Sequence, residues 1–129
     1  MGRKDIVDLF KDRAVRFLRE AISDMDKGWY DFAVFHAEQS LQLALKTVLL
    51  ENKGNYPFTH DLDELINSAK DIKPELLELK NNNKELITLL KLSYIGSRYF
   101  PSSYDKDITL KLINLVKEFL KVIELWQKE

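Results

Sequence analysis

Residues 29–52, WYDFAVFHAEQSLQLALKTVLLEN, carry Ala33, Ala37, Leu41, Ala44, Leu45 and Val48 at the three- and four-residue spacing of one helical face. The small residues in that stripe let a neighbouring helix come close. The stretch ends at Lys53-Gly54-Asn55-Tyr56-Pro57, because glycine and proline continue a helix poorly. The same period runs outward in both directions. Val7, Phe10, Ala14, Phe17 and Ala21 form a stripe in the preceding segment, with Asp5 as expected N-cap and Gly28 as stop.

Downstream, Asp61-Leu62-Asp63-Glu64 has capping-box spacing and predicts a short helix to about Ser68. Pro74 opens another short helix, since proline fits the first helical position. Asn81–Asn83 reads as a loop. A long helix then carries Leu86, Leu89, Leu90, Leu92, Ile95 and Tyr99. It stops at Phe100, which Pro101 pushes out of the helical region. The last helix, from about Asp105, is expected to bury Ile108, Leu112, Leu115, Val116, Phe119, Ile123 and Trp126. The expected fold is all-α: a single-domain bundle over residues 1–129 of four long antiparallel helices plus one or two short ones.

Composition narrows the chemistry. The 129 residues suffice for a packed core without disulfides or metal. Twenty basic residues against 21 acidic ones leave no global attraction for a polyanion, so any such site is local. With no cysteine there is no disulfide scaffold, thiolate zinc site or thiol nucleophile. No signal-peptide or membrane-spanning run is evident, and a soluble cytoplasmic protein is expected. The four glycines stand alone, so no phosphate loop forms, and Gly96-Ser97 does not complete a nucleophile elbow. His36 and His60 form no H-x-x-x-H pair, and no Glu-x-x-His motif exists for a di-iron bundle. A zinc site would need carboxylates for most of its ligands. No metal, cofactor or standard catalytic constellation is expected.

Three features remain. Glu38, Gln42 and Lys46 make a polar stripe at i, i+4, i+8, which by itself reads as a solvated face. His60 precedes a helix start, where an imidazole usually bonds nearby backbone; as a functional group it would donate a proton or touch a phosphate. The segment YIGSRYFPSSY (94–104) sets Arg98 near a helix end, flanked by aromatics. The helix dipole alone favours a cation there. A guanidinium beside rings also suits phosphate recognition with base stacking.

Taken together, AVFHAEQSLQLALKTVLLE, PFTHDLDELI and YIGSRYFPSSY resemble the HEPN family (higher eukaryotes and prokaryotes nucleotide-binding). The matching positions are Ala37, Glu38, Gln39 and Lys46, then Thr59, His60, Asp61 and Leu62, then Tyr94, Arg98, Tyr99 and Pro101. The resemblance spans about residues 10–126. It implies a small helical bundle, commonly a homodimer, that binds a nucleotide or RNA. It also implies a nucleotidyltransferase partner in a toxin–antitoxin-like gene pair. On that resemblance Arg98, Tyr99, Tyr104, Lys46 and His60 are the nucleotide- or phosphate-binding candidates. Trp29, Tyr30, Phe100 and Tyr104 are candidate aromatics for a partner surface.

Catalytic relatives are metal-independent ribonucleases with a histidine four to six residues after the arginine. Here those positions hold Ser102, Ser103 and Tyr104. The expectation is therefore a non-catalytic module. The alternatives are a ribonuclease using His60 or Tyr104 in place of that histidine, and a purely protein-binding homodimeric bundle.

Overall fold

The computed structural model describes the backbone of residues 2–99 and 104–127 and the side chains of residues 2–94 and 104–127. Among these residues there are six helices and no strand. They are α1 (Arg3–Asp26), α2 (Tyr30–Lys53), α3 (Leu62–Ala69), α4 (Pro74–Asn81), α5 (Lys84–Tyr99) and α6 (Lys106–Val122). No described helix is long and apolar enough to cross a membrane.

The central element is α2, which packs on α1, α3, α5 and α6. All six residues of its expected stripe are buried. Its alanines meet an α1 that buries Ala14 and Ala21, and the approach is close enough for Ser40 Oγ to donate to the Ala14 carbonyl at 2.7 Å. The connection between the two helices is a Schellman turn. Gly28 takes φ +78°, its N–H bonds the Met25 carbonyl, and the Trp29 N–H bonds the Asp24 carbonyl at 2.9 Å. At the other end of α2, Gly54 caps the helix at φ +81°.

Several boundaries fall as the sequence predicts. Asp61 caps α3 by accepting from the Asp63 N–H, Pro74 opens α4, and Asp105 caps α6 by accepting from the Ile108 N–H. Others differ. The first helix starts two residues before Asp5, with Gly2 as N-cap; the Asp5 carboxylate instead reaches back to the Gly2 N–H at 3.3 Å. In α1, Phe10 and Phe17 are only half-buried, and Val7 and Leu18 join the alanines inside.

Asn81 is the last residue of α4, which leaves a two-residue turn before α5. The buried line of α5 is Ile87, Leu90 and Ser93, with Leu92 exposed and Leu86 and Leu89 at the margins. In α6, Thr109, Ile113 and Leu120 are also buried, while Ile108 and Trp126 lie at the margin and the helix ends at Val122. A second Schellman turn closes it, with Glu124 in the left-handed region at φ 68°. The expected Phe100 stop, and Phe100–Ser103 altogether, lie outside the described residues.

Candidate functional site: the α2–α5 polar seam

The polar stripe of α2 is not solvated. Glu38 is fully buried and Gln42 nearly so, which overturns the expectation of a wet face. The physical reason is position. The helix is surrounded by four others, so a stripe that would face water on a peripheral helix here faces neighbours. Buried polar groups need partners. The Glu38 carboxylate accepts from Gln42 Nε2 at 2.7 Å and from Gln39 Nε2 at 2.9 Å.

From Gln42 the seam continues outward. The Gln42 Oε1 faces His60 Nδ1 at 3.4 Å. His60 stacks on Tyr94 of α5, with centroids 4.9 Å apart and planes inclined by 22°. His60 therefore does not bond the nearby backbone as expected; the Asp61 N–H is met by Thr59 Oγ1 instead. The loop that carries His60 is pinned beneath it by an ion-pair cluster. Lys91 bonds Asp63 at 2.7 Å and Asp61 at 3.2 Å, and Lys80 reaches Asp63 at 3.3 Å. Burial pushes the Asp63 carboxyl up, but the lysine hydrogen bonds outweigh it and hold it below its usual range. Lys91 is raised in return, chiefly by its bond to Asp63.

Lys46, one turn beyond Gln42, extends over the Tyr56 ring at 5.5 Å. Burial lowers its pKa more than the Glu38 charge raises it. Lys46, Tyr56, Pro57, Phe58, Thr59 and His60 line a recess of about 110 Å³, and Phe58 projects fully into solvent at its rim. The recess thus offers a cation, an imidazole and aromatic faces.

Residues 7–126 match the family model described as the HEPN domain. The chain belongs to the HEPN family. No curated protein matches it. Within this HEPN domain, Glu38, Gln42, Lys46 and His60 come together, with Tyr94 as an added member. Arg98 and Tyr99 are placed only by their helix: α5 runs through Tyr99, so Arg98 lies one turn beyond Tyr94, and both side chains lie outside the described residues.

Tyr104 stands elsewhere. It packs half-buried against the core within electrostatic reach of Asp31, and burial first, then that carboxylate, push its phenol up. Asp31 and Lys46 are fifteen residues apart on α2, or about 22 Å along the axis.

A further cluster had no spacing that marked it in the sequence. Glu20 and Asp24, one turn apart on α1, meet His36 of α2, with one candidate ligand atom from each within 4.8 Å of the others. Only the α1–α2 pairing, which sequence spacing does not encode, brings them together.

Proposed function

We propose that this HEPN domain binds a short RNA segment along the α2–α5 seam without cleaving it. The observation that carries the reading is the His60 ring, stacked on Tyr94 and tied to the buried Glu38–Gln42 pair, one helical turn from Arg98. In this reading Arg98 takes a phosphate, Tyr99 and Tyr104 offer stacking faces, and Lys46 and His60 make secondary polar contacts. Asp31, whose charge reaches Tyr104, and Lys46 lie about 22 Å apart along α2, more than one nucleotide and about six at duplex spacing. That span favours a strand over a mononucleotide. The protein acts as one bundle over residues 1–129 in the cytoplasm.

The same groups support binding without cleavage. No histidine stands four to six residues after Arg98. The raised Tyr104 phenol is a poor proton donor or acceptor near neutrality. The test is a thermal shift with mononucleotides and RNAs of four to eight residues, on parent, Arg98→Ala and Lys46→Ala. Stabilisation by the longer RNAs, lost in Arg98→Ala and weakened in Lys46→Ala, is expected. No shift with any RNA would end the proposal. RNA cleavage in EDTA, abolished by Arg98→Ala, would replace it with the ribonuclease reading.

A second reading has its own support. Trp29 and Phe32 are each about half exposed and meet edge to face at 6.5 Å, with Lys27 4.8 Å above Trp29. An exposed aromatic pair of this kind anchors interfaces. It suits a homodimer, or docking of a nucleotidyltransferase in a toxin–antitoxin-like pair. Trp29→Ala should then weaken self-association or partner capture, as sedimentation would show.

A further inference from the structure

The groups that the RNA reading leaves unused lie on the other side of α2. His36 precedes Glu38 by two residues, a rotation of roughly 200°, and so points towards α1 rather than the polar seam. There its Nδ1 sits 2.6 Å from Asp24 Oδ2. Asp24 is only 2% exposed, and the His36 ring supplies the one hydrogen bond its carboxylate receives among the described residues. Glu20 brings another carboxylate one turn away.

Like charges at i, i+4 disfavour a helix. Among the described residues no lysine or arginine pairs with either carboxylate; Arg13 and Arg16 line a recess with Phe17 and Glu20, and Arg16 pairs with Asp12 at 2.9 Å. Two carboxylates and one imidazole converge with a net negative charge and a preset imidazole. Phe17 stacks on the His36 ring at 5.9 Å, and Phe32 and Phe35 flank it. Such packing fixes ring orientation, as outer contacts do around metal-ligating histidines.

We propose that Glu20, Asp24 and His36 bind one divalent transition-metal cation, zinc foremost, across the α1–α2 pair. An imidazole with two carboxylates suits a borderline cation, whereas magnesium and calcium prefer oxygen alone. Ligand bonds of about 2.0–2.2 Å set neighbouring ligand atoms roughly 3.3 Å apart, so the 2.6 Å His36–Asp24 pair opens by under 1 Å as the metal replaces their shared proton. Glu20 is exposed, so water completes the coordination sphere. The bound cation ties the last turns of α1 to the first turns of α2.

The test is isothermal titration of chelator-stripped full chain with zinc chloride, manganese chloride and magnesium chloride, beside thermal midpoints. One zinc per chain, a raised midpoint and little response to magnesium are expected. Glu20→Gln, a surface change that leaves the fold intact, should weaken zinc at least tenfold. His36→Gln should do the same, and His60→Gln, at the only other histidine, should leave binding unchanged. Absence of zinc binding would overturn the proposal. So would binding unaltered by Glu20→Gln or lost in His60→Gln.

Discussion

Truncating Glu38 to alanine tests whether the α2 seam is a closed network. Its carboxylate accepts at 2.7 Å from Gln42, which is 4% exposed, and at 2.9 Å from the partly exposed Gln39. Gln39 can recover a bond from water, but Gln42 cannot turn its amide to solvent. Stranding a buried donor costs about 1–3 kcal/mol, and the lost methylene adds about 0.8 kcal/mol. Relief from burying a carboxylate offsets part of this. A net loss of about 2–3 kcal/mol follows. At about 2.1 cal/mol/K of unfolding entropy per residue, that is a drop of roughly 7–11 °C in this chain.

The decisive companion is Glu38→Ala with Gln42→Leu, in which both buried polar partners are gone. Replacing both with apolar groups is far cheaper than stranding one. The double variant should regain about 1 kcal/mol or more over the single one, measured by urea unfolding. Lys46 supplies a second readout. Without the Glu38 charge its pKa, already lowered by burial, should fall further and its amine should acylate faster. A single variant within 0.5 kcal/mol of the parent, or a double variant no better than the single, would refute this account of the seam.

Asp63→Asn should flatten the acid limb of the stability curve. Its folded pKa lies below 3.8, so the stabilisation is present above that value and is lost as pH falls through the folded pKa; melting points between pH 5 and 2 in parent and variant check this. At pH 7 the same change should cost no more than about 1 kcal/mol, because the pair is over a third exposed. Glu124→Gly should stabilise by up to about 1 kcal/mol in urea unfolding, since a side chain at φ 68° pays for a left-handed conformation that glycine adopts freely. Gly54→Ala should do the reverse by at least as much, as its φ is +81° and a Cβ there would lie 2.7 Å from Arg3 Nη1.

Helix starts and the main stripe of α2 were legible because local chemistry sets them: Asp61, Pro74 and Asp105 act on backbone groups within their own turn. Glu124 shows the limit. Its left-handed turn has no glycine to announce it, and the Leu125 and Trp126 that follow it pack against the core. The Glu38–Gln42–Lys46 spacing was visible in the sequence, but its burial was not. Periodicity tells which residues share a face, and only the assembled neighbours tell whether that face is wet. Leu92 errs the opposite way, apolar by sequence yet 56% exposed. His60 was marked by its place before Asp61, whereas its Tyr94 stack depends on α5 crossing that loop.

The polar content of α2 separates into two kinds. Ser40 and Thr47 settle their needs on backbone carbonyls, at Ala14 and Leu43, and could be alanine or valine with small consequence for architecture. Glu38 and Gln42 bond through side chains in the most enclosed helix of the bundle. A buried charge of that kind is a poor source of stability, since a well-packed apolar pair of equal volume commonly does as well or better. Folding alone therefore gives no reason for a carboxylate at position 38. The network also does not end inside the core. It emerges at His60 and Lys46, on a recess rimmed by Tyr56 and Phe58, and His60 stacks on Tyr94, one turn of α5 before Arg98. A costly interior feature that surfaces beside a cation, an imidazole and exposed rings supports the RNA site proposed at this seam.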